Sequence, residues 1–316
     1  MLDDYQHVAE QYGPWARLAP RSDVQWFFDH VEGEALLQRL QPFEVVVAMR
    51  ERTRFDADLI SRLPNLRLLV TTGARNAAID LEACGEHDVT VCATGGGGLG
   101  TAELTFALLL AAARQLPTEL ANLRRGGWMT TVGTDLAGAR LGLVGLGRIG
   151  GQVARRALAF EMDVVAWSEH LSPSRCTEVG VALVGKDELF ASSDFVSIHL
   201  VLSERTRGLV GERELRLMKP TAWLLNTSRG PICDEDALAR ACSKHEIAGA
   251  CLDVFDVEPL PEHHRFRSLD NVIATPHLGY VTEQSYAVFF RDVVEDIEAF
   301  LDGHPVRVLE ARRPST

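Results

Sequence analysis

Three short segments in the second half of the chain carry side chains that could together perform acid–base chemistry on a carboxylic acid. Arg229 lies in the segment NTSRG, Glu258 in DVFDVEP and His277 in TPHLGY. A guanidinium can hold a carboxylate, an imidazole can move a proton, and a carboxylate can orient that imidazole. Upstream of all three, the glycine-rich turn at 145–150 could bind a redox cofactor. Together these features predict a redox enzyme that acts on a small hydroxy or keto acid.

Each of these three residues also has an ordinary explanation. Arg229 could form a surface salt bridge, Glu258 could belong to a solvated loop, and His277 could be a capped or half-buried histidine. Taken singly, the ordinary explanations are favoured. However, each residue follows the carboxyl end of a predicted strand, which is where doubly wound sheets bind ligands. Three complementary groups at equivalent positions reverse the preference and favour catalysis.

The turn GLGRIG at 145–150 has the spacing of a dinucleotide-binding motif. A buried strand, 141–144, leads into it, and a helix, 149–159, follows it. In such a unit the first glycine makes a tight turn, and the second lets the backbone approach a pyrophosphate. The third permits close packing of helix on strand, and the amino end of the helix faces the negative charge. A glycine turn without ligand is the alternative, but the flanking strand and helix favour a cofactor site.

The residues after the next strand bear on the choice between NAD and NADP. An acidic residue about 20 positions beyond the turn would hold the ribose hydroxyls and repel a 2′-phosphate. Here Ser168 occupies the expected position and Glu169 follows it, and no arginine or lysine occurs before Arg175. We therefore expect NAD, with NADP less favoured. The alternative is that Glu169 is a solvated loop residue.

Two series of alternating strands and helices would position these groups. The first predicts strands at 24–28, 44–49, 66–72 and 89–93, with helices at 34–40, 56–63 and 81–87. The second predicts strands at 141–145, 163–167, 195–199, 222–226, 249–254 and 271–274, with helices at 149–159, 187–191, 211–218 and 234–245. Such alternation is typical of parallel sheets covered by helices on both faces. The fold class predicted is α/β, with two doubly wound parallel-sheet domains.

A run of glycines, 95–98, separates the two series and predicts a hinge or crossing point. Thr101 is a candidate N-cap for an apolar helix that would continue to Gln115 and end at Pro117. Because this helix is apolar nearly all round, it should lie in a core or in a subunit interface.

The chain after Tyr280 predicts a final helix to about Leu301 and a short strand at 306–309. We expect this helix to return to the first domain, because it adds no strand to the second series. The predicted domains are therefore 1–98 with 282–316, which would bind substrate, and 99–281, which would bind the dinucleotide.

Several of these segments resemble the signature segments of the D-isomer-specific 2-hydroxyacid dehydrogenases. These segments are LMKP at 217–220, NTSRG at 226–230, LDVF at 252–255 with EP at 258–259, and TPH at 275–277. The likeness extends to the turn GLGRIG at 145–150 and to TAE at 101–103. It covers nearly the whole chain. The resemblance implies a flavodoxin-like substrate domain and a Rossmann NAD-binding domain.

The resemblance also implies roles for the residues. Arg229 would bind the substrate carboxylate and the C2 oxygen, while hydride moves between C2 and the nicotinamide. His277 would donate the proton in reduction and take it in oxidation, and Glu258 would hydrogen-bond the imidazole and favour its protonated form. Asp253 would contact the nicotinamide end of the cofactor. The implied cofactor groove further includes Thr101, Gly145, Gly147, Arg148, Ile149, Gly150, Ser168, Glu169, Leu200, Thr227, Ser228 and Gly279.

Substrate contacts are also expected from the first domain. The turn after strand 66–72 would offer backbone N–H groups near Ala74 and Arg75 to the carboxylate. The chain has 32 basic and 44 acidic residues, for a net charge of −12, so binding an anion requires local positive charge. Among the arginines at 50, 52 and 54, Arg52 is the preferred candidate for reading a second anionic group. A solvated loop partly neutralised by Glu51 is an equally good explanation.

Composition limits the partners. The acidic balance disfavours nucleic acid and anionic membranes. The six cysteines have no CxxC pairing, which disfavours a metal site or disulfides and suggests reduced thiols in the cytoplasm. No signal peptide is expected, and the most apolar run, Leu104–Ala113, has about half the length of a membrane span. The helix at 101–115 suggests a homodimer.

Two departures from the family pattern stand out. The first strand is short, because Asp3 and Asp4 follow after two residues, and Ser168 replaces the usual aspartate.

Two classes of function are left. One is an NAD-dependent dehydrogenase or reductase of 2-keto or 2-hydroxy acids. Within this class, reduction of glyoxylate or hydroxypyruvate and oxidation of phosphoglycerate are alternatives, and the lack of an appended regulatory domain disfavours phosphoglycerate. The other is a non-catalytic NAD-sensing interaction protein, as some relatives act in transcriptional repression.

Overall fold

Two parallel sheets organise the chain, each within a compact unit of its own. The structure, a computed structural model, describes residues 1–96 and 98–311. One unit comprises Met1–Gly98 and Val281–Thr316, and the other comprises Leu99–Tyr280. The predicted α/β class with parallel sheets is confirmed. Within the described residues, no helix combines the length and the apolar character that a membrane span requires.

The first unit contains a parallel sheet of three strands, in the order β1-β2-β3, within the described residues. Its helices and strands in chain order are α1 (Ala9–Tyr12), α2 (Gly33–Leu40), β1 (Val45–Ala48), α3 (Ala57–Ser61), β2 (Leu68–Thr71), α4 (Leu81–Glu86), β3 (Thr90–Ala93) and, at the end of the chain, α12 (Glu283–Leu301). β2 is buried throughout, which suits the centre of a sheet covered on both faces. Asp56 and Asp80 cap α3 and α4, since each carboxylate accepts a hydrogen bond from the third residue after it.

The strands predicted at 24–28 and 306–309 are wrong as regular strands. Near the first, Phe27 N donates to Met1 O at 2.9 Å, and Leu2 N donates to Val47 O at 3.0 Å. Leu2 thus lies beside β1, and Phe27 lies beside residues 1–4, since Asp4 N also donates to Phe27 O at 3.0 Å. Between these bonds Asp3 has φ 55°, which takes the backbone out of the extended region of a regular strand. The second segment makes one antiparallel bridge, Val308 to Cys92, because Arg307 has φ 52°.

The second unit contains a parallel sheet of seven strands within the described residues, in the order β10-β9-β8-β7-β4-β5-β6. Its helices and strands are α5 (Gly100–Ala113), α6 (Leu116–Arg124), β4 (Arg140–Val144), α7 (Arg148–Ala159), β5 (Asp163–Trp167), α8 (Pro173–Val179), β6 (Ala182–Leu183), α9 (Lys186–Ser192), β7 (Phe195–Ile198), α10 (Glu212–Leu217), β8 (Trp223–Asn226), α11 (Glu235–Ser243), β9 (Gly249–Leu252) and β10 (Val272–Ala274). β4 pairs with β5 on one side and β7 on the other. The strand order therefore reverses at β4, where doubly wound sheets bind their ligands.

The start and end of the apolar helix differ from the prediction. Thr101 is not an N-cap, because α5 begins at Gly100 and the Thr101 hydroxyl instead donates to Gly279 O at 2.8 Å. Pro117 lies in the first turn of α6, where its missing N–H costs no helical hydrogen bond. The break between the two helices is at Gln115, which has φ 53°.

α5 packs inside its own unit rather than presenting a free apolar face. Ala102, Phe106 and Leu109 are buried in a hydrophobic cluster with side chains from α7 and the neighbouring strands. The sequence predicts that this helix lies in a core or in a subunit interface, and the structure places it in a core.

The glycine run begins in a defined contact, since Gly95 N donates to an Asp292 carboxylate oxygen at 2.7 Å. Gly97 lies outside the described residues, and the predicted hinge stays a prediction.

Candidate active site

The glycine turn between β4 and α7 has the steric features of a phosphate-binding turn. Gly145 has φ 104°, and a Cβ built on it would lie 2.6 Å from the carbonyl oxygen of His199. A Cβ on Gly150 would lie 2.2 Å from Gly145 O, so α7 can pack this closely only without a side chain there. A Cβ on Gly147, in contrast, would meet no described atom within 4 Å. The backbone at Gly147 is thus open on the side where a pyrophosphate would approach.

The surroundings of the turn fit a dinucleotide as well. α7 begins at Arg148, so the positive end of its dipole lies beside Gly147. Ile149 packs against the hydrophobic cluster beneath the turn, and Arg148 is exposed. Leu200, after β7, covers Gly145, because a Cβ on that glycine would lie 2.9 Å from a Leu200 methyl carbon. The residues present fit the cofactor, and the individual contacts stay predictions.

The loop after β5 is next to this turn, since Gly145 N donates to Trp167 O at 2.8 Å. Ser168 is half-buried and Glu169 is exposed. Arg175 donates to Leu146 O at 3.2 Å and pairs with a Glu178 carboxylate oxygen at 2.7 Å, so its charge is engaged within the protein.

A second cation near this loop was missed by sequence reasoning. Arg205 Nη1 lies 3.5 Å from His170 Nε2, although the two residues are 35 positions apart. Arg205 follows β7 rather than β5, so no signal in the local sequence places it beside His170.

The structure brings together Glu258 and His277, the two residues predicted as an acid–base pair, and their catalytic roles stay predictions. His277 Nδ1 lies 2.6 Å from Glu258 Oε2, and Phe255 N donates to Glu258 Oε1 at 2.9 Å. Both carboxylate oxygens are therefore fixed, one by the imidazole and one by the backbone. The two side chains keep 22% and 32% of their surface exposed, so the pair is neither sealed in the core nor fully solvated. The ring of His277 also packs edge-on against Tyr280, at 5.5 Å between centroids.

The backbone of His277 is held in a left-handed conformation, with φ 54°, by the buried carboxylate of Asp253. Asp253 Oδ1 accepts from Thr275 Oγ1 at 2.6 Å and from Leu278 N at 2.7 Å. Its other oxygen accepts from Gly279 N at 2.8 Å. Burial raises the pKa of Asp253, and these three hydrogen bonds counter that effect. Asp253 thus shapes the loop that presents His277, and its expected contact with the cofactor stays a prediction.

Three threonines connect the amino end of α5 to β8 and to the His277 loop. Thr101 Oγ1 donates to Gly279 O, as described above, and Thr105 Oγ1 donates to Thr101 O at 2.8 Å. Thr105 Oγ1 also lies 2.7 Å from Thr227 Oγ1. Thr101, Thr227 and Gly279 are all predicted groove residues, and the buried Thr105 connects Thr101 to Thr227. Sequence reasoning missed this connecting role of Thr105, although a hydroxyl in the apolar helix is a signal that could have found it.

Arg229 lies on a turn that its neighbours hold rigid. Asn226 Nδ2 donates to Arg229 O at 2.9 Å, and Ser228 N donates to Asn226 Oδ1 at 3.0 Å. Ser228 Oγ also donates to Ile198 O at 2.7 Å, which ties the turn to β7. The half-buried Arg229 side chain donates from Nη1 to Ser228 O at 2.7 Å, so the guanidinium is oriented as well as charged.

Gly230 brings the arginine turn against the segment that carries Glu258. A Cβ built on Gly230 would lie 2.1 Å from the carbonyl carbon of Phe255 and 2.6 Å from Asp256 N. Only glycine allows this approach. The loops of Arg229, Glu258 and His277 follow β8, β9 and β10, which are adjacent strands, and they are connected through direct contacts.

His199, at the end of β7, is a further ionisable group that sequence reasoning missed. Its Nε2 lies 2.9 Å from Ser197 Oγ, and burial lowers the pKa of His199 to about 4. The imidazole is therefore neutral at physiological pH, and it adds no charge beside the glycine turn.

The predicted substrate residues of the first unit lie on turns after β1 and β2. Ala74 and Arg75 are exposed, on a turn that begins with Gly73 N donating to Thr94 Oγ1 at 2.6 Å. A Cβ on Gly73 would collide with the guanidinium of Arg50, which donates to Thr72 O at 3.2 Å.

Arg50, rather than Arg52, is thus the arginine beside the Gly73 turn. The Arg52 side chain donates to the backbone carbonyl of Asp3 and lies over the Tyr5 ring, 4.4 Å from its centroid. Arg54 is exposed and lies 3.5 Å from the Asp56 carboxylate. The three arginines therefore have distinct surroundings, which the sequence could not show.

Comparison with known proteins agrees with this geometry. Residues 106–279 match the model of the D-isomer specific 2-hydroxyacid dehydrogenase NAD-binding domain. The chain belongs to the D-isomer-specific 2-hydroxyacid dehydrogenase family. The resemblance drawn from the sequence segments is thereby confirmed, and the Rossmann unit is one that binds a nicotinamide cofactor.

Members of this family with different substrates are similar to the chain. It is 36% identical over 277 residues to D-3-phosphoglycerate dehydrogenase from Archaeoglobus fulgidus, covering 87% of this chain and 52% of that protein. It is 35% identical over 278 residues to glyoxylate reductase from Thermococcus litoralis, covering 85% and 83%. The crystal structure of a phosphoglycerate oxidoreductase from Vibrio cholerae superposes with a TM-score of 0.90, at 35% identity, over 96% of this chain and 98% of that one. The chain spans about half the length of the curated phosphoglycerate dehydrogenases that it matches.

Proposed function

We propose that this protein is an NAD-dependent oxidoreductase that transfers a hydride between the nicotinamide and C2 of a small 2-keto or D-2-hydroxy acid. The observation that carries the proposal is the 2.6 Å contact between His277 Nδ1 and Glu258. This pair lies at the carboxyl end of the same sheet whose β4 leads into the open glycine turn. Family membership supports the same reaction class.

Each residue of the site has a definite task in this reaction. Arg229 binds the substrate carboxylate and polarises the C2 oxygen with a charge-assisted hydrogen bond. His277 donates a proton to that oxygen in reduction and takes it back in oxidation, and Glu258 stabilises the imidazolium. A bound nicotinamide supplies or accepts the hydride. Asp253 keeps the His277 loop in its left-handed conformation throughout.

A panel of 2-keto acids tests the proposal directly. Loss of NADH absorbance is to be followed with glyoxylate, hydroxypyruvate, pyruvate and 3-phosphohydroxypyruvate, with His277→Gln as the control. We expect the protein to turn over at least one of these acids, because a small keto acid is the substrate class that we propose. The rival is a non-catalytic NAD-sensing protein. Tight NADH binding without turnover of any acid would favour that rival.

The same panel distinguishes the cofactors. We propose NAD, because the Glu169 carboxylate at the end of β5 would repel a 2′-phosphate. Arg205 acts in the opposite direction, since its positive charge, although the residue follows β7, lies 3.5 Å from His170 in the loop after β5. The expected result is a higher kcat/KM with NADH than with NADPH at equal keto acid concentration. A strong preference for NADPH would contradict the assignment.

Arg52 is still our candidate for reading a second anionic group of the substrate. Arg52→Ala is expected to raise KM for 3-phosphohydroxypyruvate about ten-fold, a loss of ~1.4 kcal/mol, with KM for glyoxylate unchanged. Arg50→Ala should instead raise KM for every accepted acid, because Arg50 packs on the Gly73 turn. Arg54→Ala is the matched control. If Arg52→Ala leaves every KM unchanged, Arg52 has no part in recognition.

We also propose that the protein is a homodimer, with an interface other than α5. Within the described residues, α6 buries none of its side chains, and Glu119 on this helix binds the backbone N–H groups of Thr130 and Thr131. Helix α6 and residues 128–132 thus form one continuous surface. Its exposed apolar side chains are Leu116, Leu120, Leu123, Trp128, Met129 and Val132.

A two-fold pair of chains would cover this surface on both copies at once. Light scattering should give the mass of a dimer, and Leu120→Glu should give a monomer with an unchanged circular dichroism spectrum. A monomeric wild-type protein would contradict the proposal.

We place the protein in the cytoplasm, since the six cysteines are free and buried in the described part of the chain. The substrate is a small molecule, and the net charge of −12 disfavours nucleic acid.

A further inference from the structure

A second carboxylate–imidazole pair lies behind the catalytic loop, and the proposed reaction makes no use of it. Glu235, the first residue of α11, has Oε1 at 2.9 Å from His264 Nε2. Its other oxygen accepts a hydrogen bond from Asp256 N at 3.2 Å. The two side chains keep 21% and 16% of their surface exposed, so this is a largely buried pair rather than a surface ion pair.

The orientation of His264 is fixed from its far side. Phe266 N donates to His264 Nδ1 at 3.3 Å, so Nδ1 acts as an acceptor. Nε2 is then the nitrogen that carries the proton toward Glu235. The imidazole also packs on the ring of Phe266, at 5.0 Å between centroids, and Phe266 is buried beside Phe255. His264 thus packs against a residue of the hydrophobic core, and it holds Glu235 in one position.

Glu235 acts on the segment between Phe255 and Glu258. Two successive backbone N–H groups of this segment point to carboxylates: Phe255 N to Glu258 and Asp256 N to Glu235. The close approach of Gly230 limits movement of the same peptide group from the other side. A shift at Asp256 would therefore move Phe255 N. This N–H group holds Glu258 Oε1, while Glu258 Oε2 contacts His277.

We propose that Glu235, oriented by His264, is a positioning residue that holds Glu258 in register with the catalytic imidazole. This role rests on the proposed function. It is distinct from a simple tether between α11 and the segment at 264–267, because Asp236 already makes such a tether through a salt bridge with Arg265. Asp236 is exposed and its carboxylate pairs with Arg265, so it provides a matched control one position along the same helix.

The kinetic test compares Glu235→Ala, Glu235→Gln and Asp236→Asn. Glu235→Ala is expected to lower kcat about ten-fold with KM for NADH unchanged, because a small displacement of a catalytic group is costly. Glu235→Gln should recover at least about half of the loss, since its amide oxygen can still accept from Asp256 N. Asp236→Asn should change kcat less than about two-fold, as expected for an exposed ion pair.

A double-mutant cycle shows whether Glu235 acts through Glu258. In a Glu258→Gln background, Glu235→Ala should have no further effect on kcat, because the group that it positions has already lost its charge. An equal loss of kcat in the two backgrounds would overturn the proposal. So would an equal loss from Asp236→Asn, which would indicate that α11 only needs to be tethered.

A readout without turnover separates this inference from the proposed reaction. The hydrogen-bonded Nδ1 proton of His277 should give a downfield proton NMR signal, assigned by its absence from His277→Gln. We expect the signal to weaken or disappear in Glu235→Ala and to persist in Asp236→Asn and Glu235→Gln. An unchanged signal in Glu235→Ala would overturn the positioning role even if the protein reduced no keto acid. Absence of turnover in the wild-type protein would instead contradict the proposed function.

Discussion

His277→Ala is expected to lower kcat by about 10²- to 10⁴-fold, the usual range for loss of a general acid–base group. The substitution removes the imidazole that we propose transfers the proton, and it leaves the glycine turn between β4 and α7 unchanged. Binding of NADH, measured by fluorescence titration, should therefore change less than about two-fold, because cofactor contacts common to ground and transition states are retained. Retained turnover would remove His277 from the proton-transfer role.

The design of this experiment follows from the loop around His277. Since Asp253 holds the Thr275 hydroxyl before the backbone bend at His277 and the N–H groups of Leu278 and Gly279 after it, the loop should keep its conformation without the imidazole. His277→Gln, which keeps a polar side chain, should be nearly as inactive as His277→Ala. His87→Ala is a control, because this histidine is exposed and lies at the end of α4, in the other unit. If the control and His277→Ala lowered kcat equally, the loss could not be assigned to the imidazole of His277.

The strands of the second unit could be predicted because each is a short buried run with a turn signal after it. Their parallel arrangement then placed Arg229, Glu258 and His277 at one edge of the sheet, and this inference needed no knowledge of side-chain contacts. β6 was missed for a physical reason: both of its residues, Ala182 and Leu183, are exposed, so it has no hydrophobic signature. α6 was missed because a proline can begin a helix as well as end one.

The hydrogen bonds that hold the site together were largely beyond prediction. The pairing of Glu258 with His277 followed from complementary chemistry. In contrast, the bond from Thr101 to Gly279 joins residues 178 positions apart and replaced an expected local cap. The surroundings of Arg50 and Arg52 depend on side-chain directions, which residue spacing does not determine. Local patterns thus identify reactive groups, whereas the residues that position them are visible only in three dimensions.

Arg229→Lys is the second prediction with a large expected effect. An ammonium keeps the charge but lacks the planar fork that binds a carboxylate through two parallel hydrogen bonds. The substitution also removes the bond from Nη1 to Ser228 O, which orients the side chain on its turn. We expect kcat/KM for the keto acid to fall about 10- to 100-fold, or ~1.4 to 2.8 kcal/mol of transition-state stabilisation.

The division of this loss between KM and kcat tests the role of Arg229 more closely. If Arg229 only bound the carboxylate, KM would rise with kcat unchanged, because that contact is equally strong in ground and transition states. If it also stabilises the charge that develops on the C2 oxygen, kcat must fall as well, and this is the result that we expect. Arg240→Lys, an exposed arginine on α11, is the matched control. Normal values of both KM and kcat in Arg229→Lys would show that the carboxylate is held elsewhere, and the roles proposed for the three loops would have to be reassigned.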